Sequence, residues 1–125
     1  IRTPKISKLF DFHSCFGVPV RYHDAHELIT NINPKCVEFH LSYQDLERNP
    51  AQFLRCFPNT NLVVHAPELF ARSQLLDLAA SDSSYRKQHV AKLQSVIQLT
   101  HRLREFFPDS WKPKVVANLG GFSRK

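Results

Sequence analysis

A chain of 125 residues carries enough length for one domain and not for two. Apolar residues make up 42% of it, with ten Phe, which supports a sizeable core. No apolar run approaches the roughly 18 residues of a membrane span, and the basic start has no hydrophobic region before a small-residue cleavage site, so neither a spanning segment nor a signal peptide is expected.

The formal net charge of +6 permits a polyanionic partner, but the basic residues are dispersed apart from both ends and the segment 86–104. A solvated surface is the expectation, and nucleic acid is not. The chain opens on Ile1 and contains no methionine, as expected of a piece cut from something longer. Cys15, Cys36 and Cys56 are an odd number with no CxxC pair. That favours free, mostly buried thiols in a reducing, cytoplasmic compartment.

Residues 1–7 read as a linker or upstream tail, with Pro4 and flanking charges opposing packing. Residues 8–125 read as the domain. A first strand is expected over 8–13, ending at His13, with a loop over 14–23 that holds Cys15 and Arg21. The alternative places that strand at 18–22. Asp24 suits the N-cap of a short helix over 25–31, with Glu27 placed for a capping box and Asn33-Pro34 as the stop.

Cys36-Val-Glu-Phe-His-Leu is the second strand. Alternation puts Glu38 and His40 on one face and Val37, Phe39 and Leu41 on the other. A polar turn over 42–49 precedes Pro50 and a short helix over 51–57. Leu62-Val-Val64 is a buried strand with His65 at its exit, just before Pro67.

A long connection over 66–81 follows, with one turn of helix expected at 75–79. Asp82 or Ser83 then caps a long helix over 84–107. Val90, Leu93, Val96, Ile97 and Leu103 fall at helical spacing on it, and His89 and His101 are placed on its surface. The last strand, 114–117, leads into Asn118-Leu-Gly-Gly. Strands alternating with helices imply an α/β fold with a parallel sheet of about four strands. Sites in such folds gather at the strand carboxyl ends, which is where His65 falls.

The order and the strand tips resemble the xylose isomerase-like TIM barrels. The resemblance rests on His65-Ala-Pro, then Leu76-Asp-Leu-Ala-Ala-Ser-Asp82, the long helix and a strand ending in Gly120-Gly121. That superfamily holds sugar isomerases, epimerases and zinc nucleases of the AP endonuclease type. The match covers most of the chain and implies half or a fragment of a barrel, strands one to four. Residues 5–24 also resemble the region that follows the synthase module in some sialic (nonulosonic) acid synthase-like proteins. Together these imply a sugar isomerase or epimerase tied to sialic acid biosynthesis, or a non-catalytic module attached to such a synthase.

Within that reading Glu38, His40 and His65 are the catalytic candidates. Proton transfer beside a carbonyl needs such groups, and His65 also matches a metal ligand of the nuclease branch. A divalent metal, zinc or manganese, is the implied cofactor. Its bland alternative is a His65 that bonds a neighbouring carbonyl and shapes the turn. A Glu38 inside a barrel needs a partner, for which His13 and Arg21 are the candidates.

Those two residues, with Glu68, Asn118, Gly120 and Gly121, are the expected contacts to a sugar or sugar phosphate. Asn118 stands where the nuclease branch has a second His, which opposes zinc chemistry. Four parallel strands leave open edges, so the rest of a larger polypeptide or a second chain is expected to complete the sheet.

Overall fold

The computed structural model describes residues 16–110 and 112–118. Strands β1 (Gly17–Val20), β2 (Cys36–His40), β3 (Asn61–His65) and β6 (Lys114–Val116) form one sheet in that order, every neighbouring pair parallel. Helix α1 (Ala25–Ile32) joins β1 to β2. Helix α2 (Ser83–Arg104) lies between β3 and β6, after a small antiparallel hairpin of β4 (Leu69–Phe70) and β5 (Gln74–Leu75). The chain is thus α/β with a parallel four-stranded sheet and two α-helices among the described residues.

A sequential strand order with crossovers of one hand places successive connections on the same side of the sheet. Burial follows that rule. Val20, Val37, Phe39, Leu62 and Val64 point into the core with Ile29 of α1 and Val96, Leu99 and Leu103 of α2. The alternate residues on the other face, among them Glu38, His40, Val63 and His65, stay half-exposed. Pro19 lacks an N–H for a ladder, which an edge strand such as β1 tolerates.

The first strand lies at Gly17–Val20, near the alternative placement; residues 8–13, with His13, fall outside the described residues. So do Cys15, Trp111, Gly120 and Gly121. Helix α1 forms as expected, but its capping box does not. The chain turns tightly at 21–24, and the Asp24 carboxylate meets the Arg21 amide at 2.7 Å before it can reach the helix amides. Asn33 ends α1 in the left-handed conformation (φ 51°), its amide bonding the Ile29 carbonyl.

The helix expected over 51–57 is absent. Pro50–Gln52 makes one 3-10 turn and the chain then runs irregularly. A helix this short is not self-sustaining. Pro58 disfavours helical backbone at Phe57, and Leu54 and Phe57 both turn into the core. The turn over 42–49 tightens into a 3-10 segment, Tyr43–Glu47, closed by a Ser42–Asp45 capping box.

Nor is there a helical turn at 75–79. Leu75 pairs with Leu69, the Leu76 amide bonds the Glu68 carbonyl, and the Asp77 carboxylate accepts from the Ala79 amide. Asp82 does cap α2, accepting from the Tyr85 amide at 2.6 Å. The helical phase differs from expectation. Val90 and Ile97 face solvent while His89, Leu99 and Thr100 are buried. The described thiols, Cys36 and Cys56, are free; Cys56 is exposed, because it lies on the irregular stretch after Pro50–Gln52.

Candidate functional site

Register builds the site. In the parallel ladder, His40 of β2 lies beside His65 of β3, each the last residue of its strand. Both project from the face opposite the core, because Phe39 and Val64 before them project into it. The imidazoles therefore stack, with centroids 4.9 Å apart and planes 9° from parallel. Two residues back on the same face, Glu38 Oε1 lies 2.5 Å from His40 Nε2.

The hydrogen bonds fix one proton on each ring. His65 Nδ1 lies 3.0 Å from the Ala66 carbonyl oxygen, which only accepts, so Nδ1 carries the proton and Nε2 keeps its lone pair. His40 Nε2 faces a carboxylate and donates to it. The result is a carboxylate–imidazole pair beside a second imidazole whose basic nitrogen is unengaged among the described residues. Glu38 takes His40 as its partner; Arg21 is exposed and its backbone amide is held by Asp24.

A second pair sits beyond the strand tips. Asn118 donates from its side-chain amide to Glu68 Oε1 at 2.6 Å, joining the segments that leave β3 and β6. The Ala66 amide bonds the Val116 carbonyl at 2.8 Å and continues that junction. Glu68 is thus held by a neutral partner. The structure brings Glu38, His40 and His65 together as one group, and Glu68 and Asn118 as another.

The metal expectation meets this geometry directly. The lone pairs of two parallel, stacked rings lie in separate planes and do not converge on one ion, His40 Nε2 is engaged by Glu38, and the Asn118 amide is engaged by Glu68. Among the described residues no group of three or more His, Cys, Asp or Glu side chains could hold a metal ion. The residues described do not by themselves fit a metal centre, and no step below passes through one.

The other end of the sheet differs. A cleft of about 410 Å³ opens at the amino ends of the strands, lined by Cys36, Asn61, Ser110 and Lys114 among others, and His40 and His65 are not part of it. Burial, with the Glu38 carboxylate adding, pushes the Cys36 thiol up, against the pull of Lys114. Its thiolate is disfavoured there, which makes Cys36 a poor nucleophile.

The sequence places Glu38, His40 and His65 together as candidates at the strand ends, but does not show the stacking of His40 on His65. The available signal was position: both histidines end a strand, and adjacent parallel strands align their ends. His89 was missed as a buried residue, because its partner lies in a connection with no periodic signature. No known protein family, no curated protein and no solved structure matches the chain. No described helix is long and apolar enough to cross a membrane.

Proposed function

We propose that the chain is a sugar-handling domain of the isomerase or epimerase type, built as the first half of a xylose isomerase-like barrel and serving sialic (nonulosonic) acid biosynthesis. The observation that carries this reading is the Glu38–His40–His65 group at the carboxyl ends of adjacent parallel strands. The sequential strand order and the one-sided core support the half-barrel, since a face left half-exposed among the described residues, with polar residues at its tips, is what a barrel interior would be.

The proposed chemistry follows from the protons. His65 Nε2, with its lone pair available, takes the proton from the carbon next to the sugar carbonyl. His40, which donates from Nε2 to Glu38, stabilises charge developing on the carbonyl oxygen by donating from Nδ1 when both ring nitrogens carry protons. Both rings lie on one side of the site, so removal and return on the same face suit an aldose–ketose shift. Epimerisation requires the intermediate to turn over or a base from the uncovered side.

A divalent metal, zinc or manganese, would need further ligands from outside the described residues, with His65 Nε2 as the atom left for it. Strands of a longer polypeptide or of a second chain would add at β1 and β6, the edges of the described sheet. The free thiols of Cys36 and Cys56 support a reducing, cytoplasmic setting.

A second reading, a non-catalytic binding or structural module, is favoured by one observation: the Glu38 and His40 side chains are 38% and 34% exposed, so water reaches the pair. The nuclease reading is the weaker third, with Asn118 turned to Glu68. Titration with N-acetylmannosamine and mannose 6-phosphate, followed on histidine ring resonances, tests the proposal. Saturable shifts at His40 and His65 support it, and rings that stay unmoved by both sugars oppose it.

A further inference from the structure

His89 is buried to 0% exposure in the middle of α2's first half, although a histidine on a helix with mostly charged neighbours reads as surface. Its Nδ1 accepts the Asp77 backbone N–H at 2.8 Å. An accepting Nδ1 leaves the ring proton on Nε2, and that buried N–H has no partner among the described residues. The ring stacks on Tyr85, centroids 4.0 Å apart, and Phe70 of β4 closes the other approach at 6.3 Å.

Further bonds fasten the segment 66–82 to α2 around this ring. Tyr85 Oη donates to the Leu75 carbonyl at 3.1 Å, and Lys92 Nζ donates to Gln74 Oε1 at 2.8 Å while lying 4.8 Å from the Phe70 ring. Arg86 donates to the Ala80 carbonyl at 2.5 Å. The charged groups that act on His89 are Lys92, from its own helix, and Asp77, from the segment. Phe70, the hairpin's contact, brings no charge.

We propose that His89 is a proton-operated latch between α2 and the segment 66–82: neutral, it holds the segment through the Asp77 amide, and protonated, it lets the segment go. The second proton must enter at Nδ1. That turns the acceptor into a donor facing another donor, so the Asp77 bond is lost and two N–H groups oppose each other. The new charge is also buried beside Lys92, with the Asp77 carboxylate as its nearest relief. Burial first, then Lys92, lower the proton affinity of the ring in the closed state.

Lifting the segment lets water reach the ring and restores the ordinary affinity. The sign follows: a group whose closed-state pKa is lowered favours the closed state above its ordinary value near 6.5 and opposes it as pH falls below that value. The segment leaves β3 directly after His65 and carries Glu68, so release would also free the Glu68–Asn118 junction. The latch itself stands whether or not the sugar-handling reading does.

Amide hydrogen exchange on the whole chain tests it, corrected for intrinsic rates, from about pH 7.5 to about pH 5. Protection at residues 74–79 falls by up to about tenfold per pH unit as pH drops below the ordinary histidine value near 6.5, while Val96, Leu99 and Leu103 amides keep theirs. His89→Asn keeps an acceptor near the Nδ1 position and removes the titration, so its protection at 74–79 stays flat. Protection that stays flat in the wild-type chain from the ordinary histidine value near 6.5 down to the titration of His89 overturns the latch. So does an equal fall in His89→Asn, or loss at 74–79 and at α2 in a single step. If His89→Asn does not fold, imidazole nitrogen shifts of the wild-type chain decide: the fall must begin near the ordinary histidine value and level off at the titration midpoint of His89 itself, and a fall that begins only below that midpoint overturns the proposal.

Discussion

His40 and His65 stack because the parallel ladder sets them side by side at the ends of β2 and β3, and Glu38 then holds His40 from two residues back. With both side chains of the Glu38–His40 pair more than a third exposed, water screens it, and it contributes less than about 1 kcal/mol to stability. Glu38→Gln is expected to leave the unfolding free energy within that margin while shifting the His40 ring nitrogens. Denaturant unfolding and imidazole NMR check both halves. A loss of several kcal/mol would mean the pair is structural.

Ser110 acts as a surrogate strand neighbour. Its buried Oγ accepts the Leu62 amide at 3.0 Å at the start of β3 and lies 3.4 Å from the Leu62 carbonyl. Ser110→Ala removes the acceptor and leaves a buried N–H unpaired, an expected loss of about 1–3 kcal/mol. Urea unfolding measures it. The Leu62 amide should also become the most accelerated in β3 by hydrogen exchange.

The phase of α2 gives a paired test. Leu99 is wholly buried and Ile97, two residues away, is 43% exposed. Leu99→Ala is expected to cost about 2–5 kcal/mol, and Ile97→Ala less than about 0.5 kcal/mol. Equal losses in thermal or urea melts would contradict the helix orientation.

Tyr22 is buried against Phe39 and Phe53, and its hydroxyl has no partner among the described residues. Burial, with the Asp45 carboxylate adding, pushes its pKa from 10.0 up to about 12. A raised folded-state value means the stabilisation is complete below pH 10.0 and is lost as pH rises toward about 12. Tyr22→Phe removes an unpaired buried hydroxyl, so stability at neutral pH should hold or rise, and the alkaline decline over that window should shrink. A large loss at neutral pH would show that the hydroxyl has a partner.

Much of this fold is written in local pattern. Leu62-Val-Val64 reads as a buried strand because β-branched runs between turn residues suit little else, and α2 is long enough for its period to show. Its phase was less legible. Val90 and Ile97 are apolar yet face out, whereas Thr100 faces in because its hydroxyl is satisfied by the Val96 carbonyl at 2.8 Å. The segment 51–57 misleads for a different reason: good helix formers too few in number yield to the demands of Leu54 and Phe57 on the core.

The site was half legible. Alternation alone pairs Glu38 with His40, but the stack with His65 depends on strand register, and the Asn118–Glu68 bond joins residues 50 apart in the chain. Neither can be seen without the sheet. His89 lay furthest from reach, since its burial comes from a connection whose path is set by one backbone amide.

The most direct measurement is loss of the C2 proton of N-acetylmannosamine and mannose 6-phosphate in deuterium oxide, followed by proton NMR in the presence of the chain. Slow, chain-dependent exchange is expected with at least one of the sugars, abolished by His65→Ala and reduced about 10- to 1,000-fold by Glu38→Gln, while both variants stay folded. Exchange that persists unchanged in His65→Ala, or no exchange with either sugar together with no ring shifts at His40 and His65, would contradict proton transfer at this site.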